Sequence, residues 1–366
     1  MPSSCLYVGL MSGTSLDGID AALVDFSADR PRLLAQVLLP FPTDLRADLL
    51  SLQAPGENEL DRMALAGNAL ADLYTASVAK VLADARVAPS EVAAVGMHGQ
   101  TIRHRPERGY TSQIGNAARL AEQCGVTVVS DFRSRDIAAG GQGAPLVPAF
   151  HQGLFGGAVH RVIVNIGGIG NVTDLPPQGP VRGWDTGPGN VLLDGWIARH
   201  QGRAFDADGS WAASGQVVPG LLALLLAEPY GALPPPKSTG RDLFHLAWLD
   251  GHLAKLGPLH AADVQATLLA HTAETIAREI EREATSAQEI YVCGGGARNG
   301  ALMTGLAKRL GPRKLASTEE LGLHPDWVEA VAFAWLARQC LQGLPGNLPA
   351  VTGARGPRIL GAIYPA

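Results

Sequence analysis

Leu6-Tyr7-Val8-Gly9-Leu10-Met11-Ser12-Gly13-Thr14-Ser15-Leu16-Asp17-Gly18-Ile19-Asp20-Ala21-Ala22-Leu23-Val24-Asp25-Phe26 is two apolar runs around a small, hydroxyl-rich turn with one acidic residue. The runs predict a β-hairpin. Gly13 and Gly18 are expected to supply the positive φ angles of a tight turn, while Ser12, Thr14 and Ser15 offer hydroxyls and open backbone N–H groups to anionic oxygens. Ser12, Gly13, Thr14, Ser15, Leu16, Asp17, Gly18 and Ile19 are therefore the first candidate phosphate-binding set. An acidic group beside a phosphate repels it, so Asp17 is assigned to a hydrated Mg2+ that bridges to a nucleotide. The same residues also suit an ordinary hairpin whose Ser, Thr and Asp satisfy their own turn.

Working outward, 366 residues suffice for two domains, and 46% hydrophobic residues allow a core in each. Only 17% of residues are charged and the net charge is −5, so no broad basic face is expected; nucleic acid and anionic membrane are not expected partners. Cys5, Cys124, Cys293 and Cys340 show no metal-ligand spacing and are expected to be reduced and mostly buried. The amino terminus has no export pattern, and the apolar run at 217–227 is interrupted by Pro219; a cytoplasmic protein is expected.

The pattern of periodicities restarts partway along the chain. Strands are expected near 5–10, 19–26 and 33–40, then a long helix near 57–86, a strand at 92–97, a helix near 114–124 and a strand at 126–130. A second hairpin follows: strand 161–166, the turn Gly167-Gly168-Ile169-Gly170 and strand 171–175. A long helix near 262–286 then leads into strand 289–293 and a helix near 300–310. Each half opens on a glycine-turn hairpin and later passes from a long helix into a buried strand.

This order predicts an α/β chain with a duplicated, two-lobed, actin-like (ribonuclease H-like) ATPase fold. Residues 1–135 form the expected first lobe and 136–366 the second, with the helix at 329–341 as a segment that returns to the cleft. A polyphosphate would lie between the two hairpins, the second contributing Gly167, Gly168, Gly170 and Asn171. Gly294, Gly295, Gly296 and Asn299, after a strand and before a helix, let backbone approach a base or ribose. Neither a dinucleotide fingerprint nor a Gly-Lys-Ser/Thr P-loop is present.

Six segments, in order, resemble the anhydro-N-acetylmuramic acid kinases: Gly9 to Gly18, Gly96-Met97-His98-Gly99-Gln100-Thr101, Ser130-Asp131-Phe132-Arg133, Asn165 to Asn171, Asp185-Thr186-Gly187-Pro188-Gly189-Asn190 and Gly294 to Asn299. The resemblance spans nearly the whole chain. It implies membership of the sugar kinase, Hsp70 and actin superfamily, a homodimer, and use of ATP and water to open the 1,6-anhydro ring while phosphorylating O6. The implied product is N-acetylmuramic acid 6-phosphate, an intermediate of peptidoglycan recycling. Asn165 departs from the wider superfamily, which often has an acidic residue there.

Such chemistry needs a carboxylate to activate water. Asp185, at a strand end before Pro188 and Gly189, is the candidate base; the alternative is a helix-capping aspartate. Asp17, Asp20 and Asp131 compete, the last beside Arg133 and Arg135. His98, Gln100 and Thr101 are expected to hydrogen-bond the sugar, or else to form a strand-end turn. Arg133 suits a carboxylate or phosphate, or a bridge to Asp131 or Asp136, and Glu329 reaches the site or caps its helix. The Pro-rich stretch 229–237 and Lys237-Ser238-Thr239-Gly240-Arg241-Asp242 read as a stiff loop that either closes over substrate or lies exposed. A hexokinase-like enzyme acting on a free hydroxyl, and a nucleotide-gated, chaperone-like module, are the alternatives for function.

Overall fold

The computed structural model describes residues 4–13, 16–28 and 30–366. Thr14 and Ser15 lie outside them. The chain divides into two compact units, Met1–Leu154 with Trp327–Ala366, and Phe155–Asp326. The division therefore falls nineteen residues later than the expected 135/136 boundary, because the Val147–Phe155 helix ends at it, and the C-terminal segment groups with the first unit.

In the first unit the strands are β1 (Leu6–Met11), β2 (Gly18–Asp25), β3 (Arg32–Pro40), β4 (Val92–Met97), β5 (Gln100–Arg105), β6 (Tyr110–Ile114) and β7 (Val128–Ser130). In the second they are β8 (Arg161–Ile166), β9 (Ile169–Leu175), β10 (Arg182–Pro188), β11 (Glu289–Cys293) and β12 (Lys314–Ser317), and β13 (Ala362–Tyr364) returns to the first. The first sheet has the order β13-β7-β4-β1-β2-β3 and the second β10-β9-β8-β11-β12. In each, a hairpin and a third strand are antiparallel, and two further strands join the first strand's side in parallel. Apart from β13 the two orders are the same. This is the duplicated actin-like α/β fold.

Helix faces bury each sheet. The Glu59–Ala85 helix places Leu70, Tyr74, Val78 and Val81 at helical spacing against Val8, Leu10, Ile19 and Leu23. In the second unit, Ile276 and Ile280 of the Ala261–Glu283 helix and Leu302 and Leu306 of the Gly300–Leu310 helix share a core with Val162, Val164 and Ile166. The Val328–Leu341 helix packs on β1 and β4 so closely that a Cβ on Gly9 would stand 1.8 Å from the Ala330 carbonyl oxygen, and one on Gly96 2.1 Å from that of Phe333. Only glycine permits that approach.

The hairpin β5–β6, and strands β12 and β13, were not expected from periodicity, and β10, expected to end at Asp185, continues to Pro188. β5 reads Gln-Thr-Ile-Arg-His-Arg, too polar to alternate against a core, and all three residues of β13 are exposed. The helix expected near 114–124 starts at Ala117, because the Asn116 side chain caps it through the Arg119 N–H and Ile114 ends β6. Among the described residues no disulfide is formed; Cys293 and Cys340 are buried, Cys124 half-buried and Cys5 exposed. Among the described residues, no helix is long and apolar enough to cross a membrane.

Candidate active site

In the first unit, the quoted motifs collect at the carboxyl ends of the parallel strands, the edge where open α/β sheets bind ligands. The His98 N–H donates to the Leu10 carbonyl (3.0 Å), and the Ser130 hydroxyl donates to that of Met97 (3.1 Å). The ends of β1, β4 and β7 are thereby tied together.

Ser12 is buried, donates its hydroxyl to the Gly99 carbonyl (3.0 Å) and pairs with the Tyr74 hydroxyl (2.8 Å). Its hydroxyl is committed to the fold, which corrects the expectation that it faces anionic oxygens. Gly18 is corrected too. Its φ lies outside the left-handed region, and its missing Cβ instead admits the Leu39 carbonyl, 2.3 Å from where a Cβ would be. Among the described residues of this turn Leu16 is left-handed, at φ 59°, and with Ile19 it is buried in the core. Gly13 accepts a hydrogen bond from the Leu16 N–H, and the Asp17 carboxylate is exposed at the turn.

His98 and Arg133 meet. The Arg133 guanidinium donates to His98 Nε2 from its terminal nitrogen (2.9 Å), and to the Gly143 carbonyl (2.8 Å). An imidazole nitrogen that accepts is unprotonated, so the ring hydrogen sits on Nδ1. Burial, reinforced by Arg133, holds His98 well below the usual histidine range, so it is neutral. Among the described residues its buried Nδ1 has no hydrogen-bond partner, nor has Gln100 Oε1, while Gln100 Nε2 donates to Gly13 (3.3 Å). The Thr101 hydroxyl accepts from Gln113 (3.0 Å).

Burial lowers Arg133 to about 10, against the opposing pull of Glu329 and Asp136, and it stays a cation at neutral pH. Burial raises Glu329, in the first turn of the Val328–Leu341 helix, and Arg133 partly offsets this. Asp131, at φ 58°, accepts from the Ser134 N–H, a local cap. Asp136 is fully buried among Gly143 N, Asn347 Nδ2 and the Thr352 hydroxyl. Neither is bridged to Arg133 by a hydrogen bond.

The second unit gathers its motifs at the equivalent edge. Asp185 lies opposite Asn171 in the β9–β10 ladder. The Gly168 carbonyl accepts from the N–H groups of Gly189 and Val191, and that of Gly167 from Asn190, which joins the hairpin turn to the start of the Val191–Gln201 helix. A Cβ on Gly294 would stand 2.5 Å from Asn165 Oδ1, and one on Gly296 2.4 Å from Ile166 Cγ2. The third glycine loop therefore lies on the end of β8, with Gly295 beside the Asn190 amide. Asn299 caps the Gly300–Leu310 helix through the Leu302 N–H. Gly170 leaves room for the Thr186 hydroxyl.

Asp185 is half-buried, and its Oδ2 accepts from the Thr239 N–H (3.0 Å). Among the described residues Oδ1 receives no hydrogen bond. Desolvation raises the carboxyl to about 6, while the Thr239 N–H and then Lys237 pull it down. It caps no helix; the residue flanking the Val191–Gln201 helix is Asn190. A carboxylate poised near neutrality suits proton abstraction.

Sequence reasoning missed the groups that hold Asp185. Its N–H donates to the Lys237 carbonyl (3.1 Å), and the Tyr230 hydroxyl donates to its carbonyl (2.9 Å). The Pro-rich spelling marked this loop as stiff, but nothing local shows which strand it meets.

The chain matches the family model for anhydro-N-acetylmuramic acid kinase over residues 5–366. It is 59% identical over 363 residues to an anhydro-N-acetylmuramic acid kinase of Thiobacillus denitrificans, covering 98% of this chain and 97% of that one. It is likewise 59% identical to one of Nitrosospira multiformis (98% and 99% covered) and 55% identical to one of Pseudomonas putida (99% of each).

Proposed function

The chain belongs to the anhydro-N-acetylmuramic acid kinase family, and from that membership we propose that it opens the 1,6-anhydro ring of anhydro-N-acetylmuramic acid with water while phosphorylating O6 from ATP. Asp185 Oδ1 takes a proton from water, whose oxygen forms a bond to the anomeric carbon as the bond from that carbon to O6 breaks. O6 bonds to the γ-phosphorus, and the bond from that phosphorus to the β–γ bridging oxygen breaks, releasing ADP. The proton on Asp185 then passes to solvent. N-acetylmuramic acid 6-phosphate results, a product suited to the recycling of cell-wall sugar.

The observation that carries this reading is the Asp185 carboxylate itself: one oxygen held by the Thr239 N–H, the other without a donor among the described residues, and a pKa raised to about 6. His98 Nδ1–H and Gln100 Oε1, buried without partners among the described residues, supply a donor and an acceptor suited to sugar hydroxyls or the acetamido group. Arg133 and Glu329 support the sugar's polar substituents. Gly167, Gly168, Gly170, Asn171 and the Gly294–Gly296 loop would take the nucleotide through backbone.

The exposed Asp17 carboxylate is a hard oxygen donor, and one carboxylate with phosphate oxygens and water is a donor set that Mg2+ accepts. When bound, Mg2+ neutralises charge on the transferred phosphoryl group.

The test is turnover in 18O-labelled water, quenched early, with preformed product in the same water as an exchange control. Label at the anomeric hydroxyl above that control is expected. Unlabelled sugar product would reject coupled hydrolysis in favour of transfer to a free hydroxyl.

A further inference from the structure

The loop from Pro229 to Asp242 is bolted to the candidate base by its backbone and to a neighbouring helix by buried charge. The Lys237 side chain is 3% exposed, and its Nζ donates to Glu279 Oε1 (2.9 Å) and to the Tyr230 carbonyl (3.2 Å) while standing 4.7 Å from the Tyr230 ring centre. Glu279, in the Ala261–Glu283 helix, also accepts from Trp184 Nε1 (2.8 Å), the residue before Asp185, and from Arg282 (2.9 Å). Arg282 grips the loop as well, donating to the carbonyls of Gly231 and Leu233 (3.0 Å each). Strand β10 and the loop are thus fastened to the same turn of one helix.

A buried ion pair is a poor way to stabilise a fold, since desolvation offsets its attraction and well-packed apolar residues do as well. What apolar residues cannot do is fix a backbone in several directions and leave a cation near a carboxylate. We propose that the Tyr230–Thr239 segment is a strap that orients Asp185, and that Lys237 is the positioning residue of the base, anchoring the strap on Glu279 and leaving Oδ1 as the oxygen that receives the proton. This rests on Asp185 being the base.

The charged and titratable groups around Asp185 are Lys237 and Tyr230 from the strap, with Glu279 and Arg282 from the helix behind them. β9 presents the neutral Asn171 opposite. Lys237 favours the ionised carboxylate, so its removal shifts the proton-binding equilibrium of Asp185 upward in pH.

The test replaces the pair together, Lys237→Met with Glu279→Gln, so that no buried carboxylate is left uncompensated. In the full-length enzyme the acid limb of kcat/KM is expected to move up by about half a pH unit or more. kcat should fall about tenfold with the KM for ATP unchanged. A cooperatively melting double variant with an unmoved limb and kcat within twofold of wild type would overturn the proposal. If the double variant does not fold, Tyr230→Phe cuts only the hydroxyl bond to Asp185; a kcat at least threefold lower with unchanged KM for ATP supports the strap, and unchanged kcat overturns it. Asp185→Asn separates the two layers: an active Asp185→Asn enzyme overturns base and strap together, whereas an inactive one beside unaffected strap variants overturns the strap alone.

Discussion

Both sheets bring a hairpin, a third antiparallel strand and two parallel strands to the same carboxyl-end edge, and at each edge a desolvated carboxylate stands near a cation. In the first unit the cation is Arg133, which donates to His98 and Gly143 and pulls on Glu329. In the second it is Lys237, whose ammonium donates to Glu279 and Tyr230, so that the Asp185 carboxylate feels only its charge while the Asp185 N–H holds the Lys237 carbonyl. One topology therefore carries two electrostatic designs: a cationic edge around a neutral imidazole, suited to binding, and a carboxylate raised toward neutrality, suited to moving a proton. Sheet order says where a site lies, and side-chain pairing says what it does.

The comparison breaks most readily at the glycines. Gly9→Ala forces a Cβ against a helix backbone, whereas Gly170→Ala meets first the Thr186 hydroxyl at 2.8 Å. Gly9→Ala should cost about 4 kcal/mol or more in denaturant unfolding and Gly170→Ala about half that or less; equal losses would show that the two edges are packed alike.

Arg133→Met tests the cationic edge. It removes the cation that offsets the desolvation of Glu329 and is expected to cost about 3 kcal/mol, with a loss that grows as pH rises, because Arg133 favours only the ionised form of that carboxyl. A loss independent of pH would sever Glu329 from Arg133.

Asp185→Asn should act in the opposite sense on stability. The folded carboxyl, at about 6, binds its proton more tightly than the ordinary carboxyl at 3.8. Asp185 therefore favours folding below about pH 4 and loses that contribution as pH rises through 6. The variant should be more stable than wild type by about 1–3 kcal/mol at pH 8, with the gap closing by about pH 4. A variant less stable at pH 8 would mean that the carboxylate is not desolvated. Smallest is Asp17→Ala, within about 0.5 kcal/mol on stability because the side chain is exposed. Its effect should be a raised KM for Mg-ATP with little change in that for the sugar.

Hairpins, long helices and parallel strands were legible because apolar periodicity reports burial directly. Leu70, Tyr74 and Val78 announce their helix face from spacing alone. The Asp185 motif was legible as a strand before a helix, but its place was misread: β10 runs on to Pro188, so Asp185 lies mid-strand, beside a register shift, rather than at the strand end. Ser12 was misread because a serine offered to a ligand and one buried against Tyr74, sixty-two residues away, are spelled identically. Gly18 was misread because a glycine needed for φ and one needed for space are also spelled identically. Lys237 and Glu279 are forty-two residues apart, and no local pattern joins them. The C-terminal helix reads as apolar, but only the contact at Gly9 and Gly96 shows which sheet it covers.

The pH dependence of kcat/KM in wild type and in Asp185→Asn addresses the role of Asp185 as the base most directly. The wild-type rate should fall about tenfold per pH unit below a midpoint near 6, the value at which the carboxyl takes its proton. Asp185→Asn should lose about 10²- to 10⁴-fold at pH 7.5, with nucleotide binding intact and no limb near 6. A variant within threefold of wild type, or one in which the limb near 6 persists, would contradict the assignment of Asp185 as the base.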